Sequence, residues 1–159
     1  MKRTTVLTLH ALAAAAVLAV SCAGVPRGRT TELHAAANTG DLAVLDDLLV
    51  DEKDVDARDE SGKTALHHAS IAGDVPFCGA LLNAGADPNL PDVDGRTSLH
   101  YAVLSRDPDL VAMLLAADAD AGLLDDDDRS PTDLAAESGY EDVRDVIESA
   151  AEGFIPDGA

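Results

Sequence analysis

The sequence predicts an all-α solenoid of four stacked helix-turn-helix repeats, on three observations. First, the tetrapeptide Thr-x-Leu-His recurs every 33 residues, as Thr31-Glu32-Leu33-His34, Thr64-Ala65-Leu66-His67 and Thr97-Ser98-Leu99-His100. A degraded copy stands in step at Ser130-Pro131-Thr132-Asp133. Second, other positions keep the same register: Asp59, Asp92 and Asp125; Leu48, Leu81, Leu114 and Ile147; and Gly40, Gly73 and Gly139, with Arg106 in the missing slot. Third, aromatic residues make up only 3% of the chain and tryptophan is absent. A globular core of this size would call for large rings, whereas stacked alanine-rich helices enclose a thin, continuous core without them.

Residues 1–21 read as an address. Met1-Lys2-Arg3 is a basic start, and Val6 to Val20 is apolar except for Thr8 and His10, too short for a comfortable membrane span. The small residues Ala19, Val20 and Ser21 precede Cys22. This resembles a bacterial secretory signal, and more narrowly a lipoprotein signal, which implies lipidation of Cys22. The usual pattern has leucine three residues before the cysteine, where Ala19 stands here with Leu18 one step early. Ordinary cleavage after Ser21 or Ala23, leaving a soluble periplasmic protein, is the alternative. Either way the expectation is export across the inner membrane to the periplasm, with a membrane anchor where Cys22 is lipidated. Cys78 falls in an apolar helical pattern, as a small core residue or, alternatively, a reactive thiol. A bridge between it and Cys22 would have to pin the N-terminus to a helix face, which disulfide geometry disfavours.

Residues 22–29 form a Gly/Pro/Arg tether, and the repeats occupy about 30–58, 59–91, 92–124 and 125–152. Each opens on a turn such as Asp59-Glu60-Ser61-Gly62 or Asp92-Val93-Asp94-Gly95, where glycine takes a positive φ. Thr64 and Thr97 then cap the first helix, and Leu-His-x-Ala supplies an inward face small enough for stacking. Gly40-Asp41 and Gly73-Asp74 end that helix and start the next, which carries the paired leucines Leu48-Leu49, Leu81-Leu82 and Leu114-Leu115. The pattern resembles the ankyrin repeat, with its 33-residue period, its Thr-Pro-Leu-His helix start and its Gly-Ala-Asp-x-Asn ending, matched best here by Gly85-Ala86-Asp87-Pro88-Asn89. The resemblance implies β-turn fingers projecting from the helices and a chain that holds partners rather than transforming substrates.

Departures from the pattern fall in the first, third and fourth copies. Glu52-Lys53 replaces Gly-Ala in the first repeat, and Asp118 and Gly122 replace glycine and asparagine in the third. In the fourth, Thr132-Asp133 replaces Leu-His and Asp128 replaces the turn glycine. Terminal repeats need a polar outer face, so the fourth copy reads as a cap. Residues 153–159 form a tail whose Gly153-Phe154-Ile155-Pro156 is placed to fold back on that cap.

Lysine and arginine total 11 against 30 acids, a formal charge of −19, and removal of residues 1–21 would take away Lys2 and Arg3 but no acid. Phosphate binding needs clustered cations, so nucleic acid is excluded as a partner, and anionic lipid is disfavoured as a direct surface. A basic protein drawn in by long-range attraction fits, beside the plain reading that charge keeps the chain soluble.

Four constellations bear on function. His34, His67 and His100, with His68 beside the second, form a ladder that the resemblance assigns to hydrogen bonds with neighbouring loops. Successive repeats are too far apart for these histidines to share a metal. Asp125-Asp126-Asp127-Asp128 is a solvated loop tip, an acidic contact for a basic partner, or a calcium or other metal site, although the Asp-x-Asp-x-Asp-Gly order is absent. Lys63, Arg96 and Arg129 make a basic stripe before each helix cap, either family custom or partner contacts. Ile71 and Leu104 end the first helices of repeats two and three, either as anchors on a concave face or leaning into the next repeat.

No nucleophile–base arrangement, phosphate loop or zinc pattern appears, so the expectation is a non-enzymatic, monomeric binding module of the bacterial cell envelope that needs no cofactor. It would capture a basic protein through Glu60, Ser61, Val93, Asp94, Asp126 and Asp127 on the fingers and Ile71 and Leu104 on the helix ends, with Lys63, Arg96 and Arg129 fixing orientation. An immunity or inhibitor role, or an envelope accessory role, would follow. A calcium- or metal-binding envelope protein using Asp125–Asp128 is the alternative.

Overall fold

A computed structural model describes residues 32–50 and 54–151. The expected signal at 1–21, the tether at 22–29 with Cys22, the Glu52-Lys53 departure and the tail at 153–159 lie outside the described residues. Among those described there are eight helices: α1 (Glu32–Thr39), α2 (Leu42–Val50), α3 (Ala65–Ala72), α4 (Val75–Asn83), α5 (Ser98–Leu104), α6 (Pro108–Ala116), α7 (Pro131–Ser138) and α8 (Glu141–Ala151). They pair in chain order, and the first helices stack α1 on α3, α3 on α5 and α5 on α7. The second helices stack α4 on α6 and α6 on α8.

The 33-residue register becomes columns of side chains. Leu33, Leu66 and Leu99 are buried from the first helices, with Ala36, Ala69, Ala102 and Ala135 beside them. Leu48, Leu81, Leu114 and Ile147 close the core from the second helices. Phe77 and Cys78 on α4 are fully buried, and Cys78 is a free cysteine. Burial pushes the Cys78 thiol up to about 11, so at neutral pH it is a protonated core residue rather than a nucleophile. Helix ends follow the sequence: Asp74 and Asp107 side chains accept amide bonds at the starts of α4 and α6, and Gly73 and Gly139 end α3 and α7 in the left-handed conformation. In the fourth repeat Asp133 takes over from the histidine, accepting from the Ser130 N–H at 3.0 Å, while the Asp133 N–H donates to Ser130 Oγ at 3.1 Å.

The expectation of β-turn fingers is corrected. Among the described residues no β-strand forms, and the inter-repeat segments are short turns closed on themselves. Asp59 Oδ1 accepts from the amides of Ser61 (2.8 Å) and Lys63 (2.9 Å), and the Gly62 N–H donates to the Asp59 carbonyl (3.0 Å). Amides that a strand ladder would use are thereby consumed inside the turn. A backbone bond joins each turn to the next, from Val93 N–H to the Ser61 carbonyl and from Asp126 N–H to the Asp94 carbonyl, both 3.0 Å.

The fourth-repeat turn departs from the others for a packing reason. A Cβ on Gly95, at φ +74°, would stand 2.9 Å from the Asp126 backbone nitrogen, because the following turn packs against it. Asp128 holds the same register at φ 61° in the last turn and is exposed. It therefore keeps a side chain at the cost of left-handed strain alone. Asp128→Gly is expected to raise stability by about 1 kcal/mol in urea unfolding, whereas Gly95→Ala lowers it by roughly 2 kcal/mol or more.

Candidate functional site

Each turn is built around a carboxylate. Asp92 is the fullest case: its Oδ1 accepts from the amides of Asp94 and Arg96 (both 3.0 Å), and its Oδ2 from the Tyr101 hydroxyl (2.6 Å). The Lys63 ammonium of the preceding repeat stands 2.9 Å from the same Oδ2, and the Asp92 carboxylate has no exposed surface. Burial alone would raise this carboxyl; the bonds from Tyr101 and Lys63, then from the two amides, outweigh it and hold the group below its ordinary value. Asp59 repeats the design with His68 in place of tyrosine (2.9 Å). Leu134 stands in the corresponding slot of the fourth repeat and cannot donate. Asp125 is bound instead by Arg129 (3.0 Å), with Arg96 Nε at 3.5 Å. Against the opposing effect of burial, Arg129 and the neighbouring amides bring Asp125 down to about 2.

The basic stripe is thus woven between repeats. Lys63 reaches forward to Asp92 and Arg96 reaches forward to Asp125, while Arg129 turns back on Asp125 and Asp127. All three are half-buried. Lys63 also lies 5.5 Å from the centroid of the Tyr101 ring.

The histidine ladder is structural. His67 Nδ1 accepts from the Thr64 N–H (3.0 Å) and hydroxyl (2.9 Å), and its Nε2–H donates to the Arg96 carbonyl of the next repeat (3.1 Å). A carbonyl can only accept, so the ring is the neutral Nε2–H tautomer. His100 repeats this with Thr97 and the Arg129 carbonyl, and His34 Nε2 meets the Lys63 carbonyl at 2.9 Å. Burial lowers all three, His67 to about 4.

What these devices leave outside is a mixed surface. Ile71 and Leu104 are 47% and 43% exposed at the ends of α3 and α5, so they do not lean into the next repeat. Val93 is 61% exposed at its turn. Glu60, Ser61, Asp94, Asp126 and Asp127 are exposed on the turns that precede the first helices. Reading the sequence missed Leu124, 55% exposed just before the last turn, and Leu42 and Val44 on α2. It also missed the cage around each turn aspartate, although Asp59, Asp92 and Asp125 share their spacing with Lys63, Arg96 and Arg129.

As for the run Asp125–Asp128, the Asp125 oxygens are taken by amides and guanidinium groups, and among the described residues no group of three His, Cys, Asp or Glu is placed to hold a metal ion. No described helix is long and apolar enough to cross a membrane.

Stacked helix pairs with a pinned turn at each junction, and side chains displayed on a fixed scaffold, define a repeat protein of the interaction class. A family model described as ankyrin repeats (3 copies) matches residues 33–125, more than half of the chain, and the chain belongs to the ankyrin-repeat family. The fourth helix pair, α7 and α8, extends the stack beyond the matched span. No curated protein matches the chain. Ankyrin-repeat solenoids are non-catalytic scaffolds for protein–protein interaction, and this chain is one of them.

Proposed function

We propose that this ankyrin-repeat chain is a monomeric binding module of the bacterial cell envelope that captures a basic protein. The observation that carries the reading is the exposure of Ile71, Val93 and Leu104 within an acidic surface. Apolar anchors ringed by charge are the usual makeup of an energetic interface centre with a polar rim. Glu60, Ser61, Asp94, Asp126 and Asp127 form that rim and, in a chain of net charge −19, select a cationic partner and speed its encounter. Lys63, Arg96 and Arg129 act from below by holding the turns in place. Placement in the envelope rests on the sequence of residues 1–22: export by the leader, then a lipid on Cys22 that keeps the solenoid near the membrane. An immunity or inhibitor role against a basic toxin or enzyme, or an envelope accessory role, fits that placement.

The test is capture from an envelope extract with the full chain, beside a form carrying Ile71→Glu, Leu104→Glu, Asp126→Asn and Asp127→Asn together. One dominant basic protein, lost with the altered form and released as salt is raised, is the expected result. Capture that ignores both the substitutions and salt refutes the surface. Cys22→Ser is expected to move the protein from the membrane to the soluble envelope fraction without changing capture; unchanged fractionation refutes the anchor.

A further inference from the structure

A groove stands apart from that surface and shares none of its residues. It is open to solvent and offers about 580 Å³ between the ends of α6 and α8 and the α6–α7 connection. Leu115, Ala119, Ala121 and Ile147 give it apolar walls, and Asp118, Asp120 and Glu148 stand at the same opening. All three acids are exposed. Asp120 accepts from the Gly122 N–H at 2.8 Å, and Glu148 pairs with Arg144 at 3.4 Å. The binding partner of Glu148 lies on its own helix and is one cation against three acids. The opening is therefore net negative over an apolar floor.

We propose that this groove is a second docking site and takes a short peptide segment that carries both aliphatic and cationic side chains. The volume accommodates a few side chains, and the apolar walls reward an aliphatic one. The acids at the rim reward a lysine or arginine flanking it and disfavour an acidic segment. An exclusively cationic segment would leave the walls unfilled; an exclusively apolar one would leave the carboxylates without a counter-charge. The site lies at the cap of the stack, so a partner held on the turn surface and a segment held here can engage the chain together, with the gain in avidity that two linked contacts give.

The test is titration of the full chain, at physiological salt, with three labelled synthetic peptides of one length: alternating Leu/Lys, alternating Ser/Lys and alternating Leu/Glu. The Leu/Lys peptide is expected to bind at least tenfold more tightly than either of the others. Ala150→Arg places a long cation from an exposed helical position into the groove, and should abolish that preference while the helical circular dichroism is kept. Ile71→Glu with Leu104→Glu should leave it intact, which separates this site from the turn surface. Equal binding of Leu/Lys and Ser/Lys peptides, or indifference to Ala150→Arg, overturns the proposal. Binding that appears only after residues 153–159 are deleted also overturns it, because the chain's own tail would then be the occupant.

Discussion

Acidification from pH 6.5 to about 4 is expected to withdraw roughly 3 kcal/mol of folding stability through His67 alone. Burial lowers its folded value, outweighing the raising effects of the Arg96 carbonyl bond and of Asp92; Lys63 acts with burial. Because the folded value is depressed, the unfolded chain binds the proton first. The contribution is complete above pH 6.5 and shrinks as pH falls toward 4. His34 and His100 are lowered for the same reason and add to the loss in the same direction. Geometry points the same way as burial: the His67 Nδ1 lone pair is occupied by the Thr64 N–H, so a proton can enter only if the helix cap opens.

Acid also relieves repulsion among the 30 acidic residues, so the raw stability curve is a composite. The informative quantity is the difference from His67→Ala, measured by urea unfolding at a series of pH values. At pH 7 the variant should be less stable by about 3 kcal/mol, because the Thr64 N–H and the Arg96 carbonyl lose their partner. By pH 4 the two curves should nearly meet. A gap that stays constant across the window would mean that the folded chain takes up the His67 proton at the same pH as the unfolded chain, and would refute the depressed value of this buried ring.

Much of this scaffold is legible in the sequence because its determinants are local and repeat. A leucine, an alanine and a glycine at fixed offsets specify a helix, its inward face and its end, and 33-residue spacing states that each unit meets a copy of itself. Ile71 and Leu104 keep the same register, but the register alone leaves open whether they face solvent or the next repeat, and the structure exposes them. The turns are less legible. An Asp-x-x-Gly segment signals a reversal, but whether adjacent reversals build a ladder depends on where their amides go, and the Asp59, Asp92 and Asp125 side chains take those amides inside the turn. Repeat comparison also hides what differs between copies. Tyr101 and His68 serve the same carboxylate position through different chemistry, and Leu134 abandons it, leaving Asp125 to Arg129. The groove at the cap is built by residues from two repeats whose approach no single-repeat pattern encodes.

Asp92→Ala is expected to destabilise the chain by about 3–5 kcal/mol, the cost of removing one member of a buried, hydrogen-bonded charge pair. Four donors lose their acceptor at once: the amides of Asp94 and Arg96, the Tyr101 hydroxyl and the Lys63 ammonium. Asp92→Asn keeps an oxygen for the two amides but removes the charge facing Lys63, so its cost should fall between wild type and alanine. The shape of the transition is as telling as its midpoint. In a solenoid, stability is a sum of repeat terms and junction terms, and Lys63–Asp92 spans the junction between repeats two and three. Weakening that junction should uncouple the two halves, broadening urea unfolding and lowering its slope, with repeats three and four melting apart from repeats one and two. A sharp transition shifted by less than 1 kcal/mol would show that Asp92 shapes its own turn and does not couple repeats. Capture of a basic partner would then respond differently too. If the junction couples the turns, Asp92→Asn should weaken capture although its buried side chain cannot touch the partner, because Glu60 and Val93 would no longer be held in one relative position.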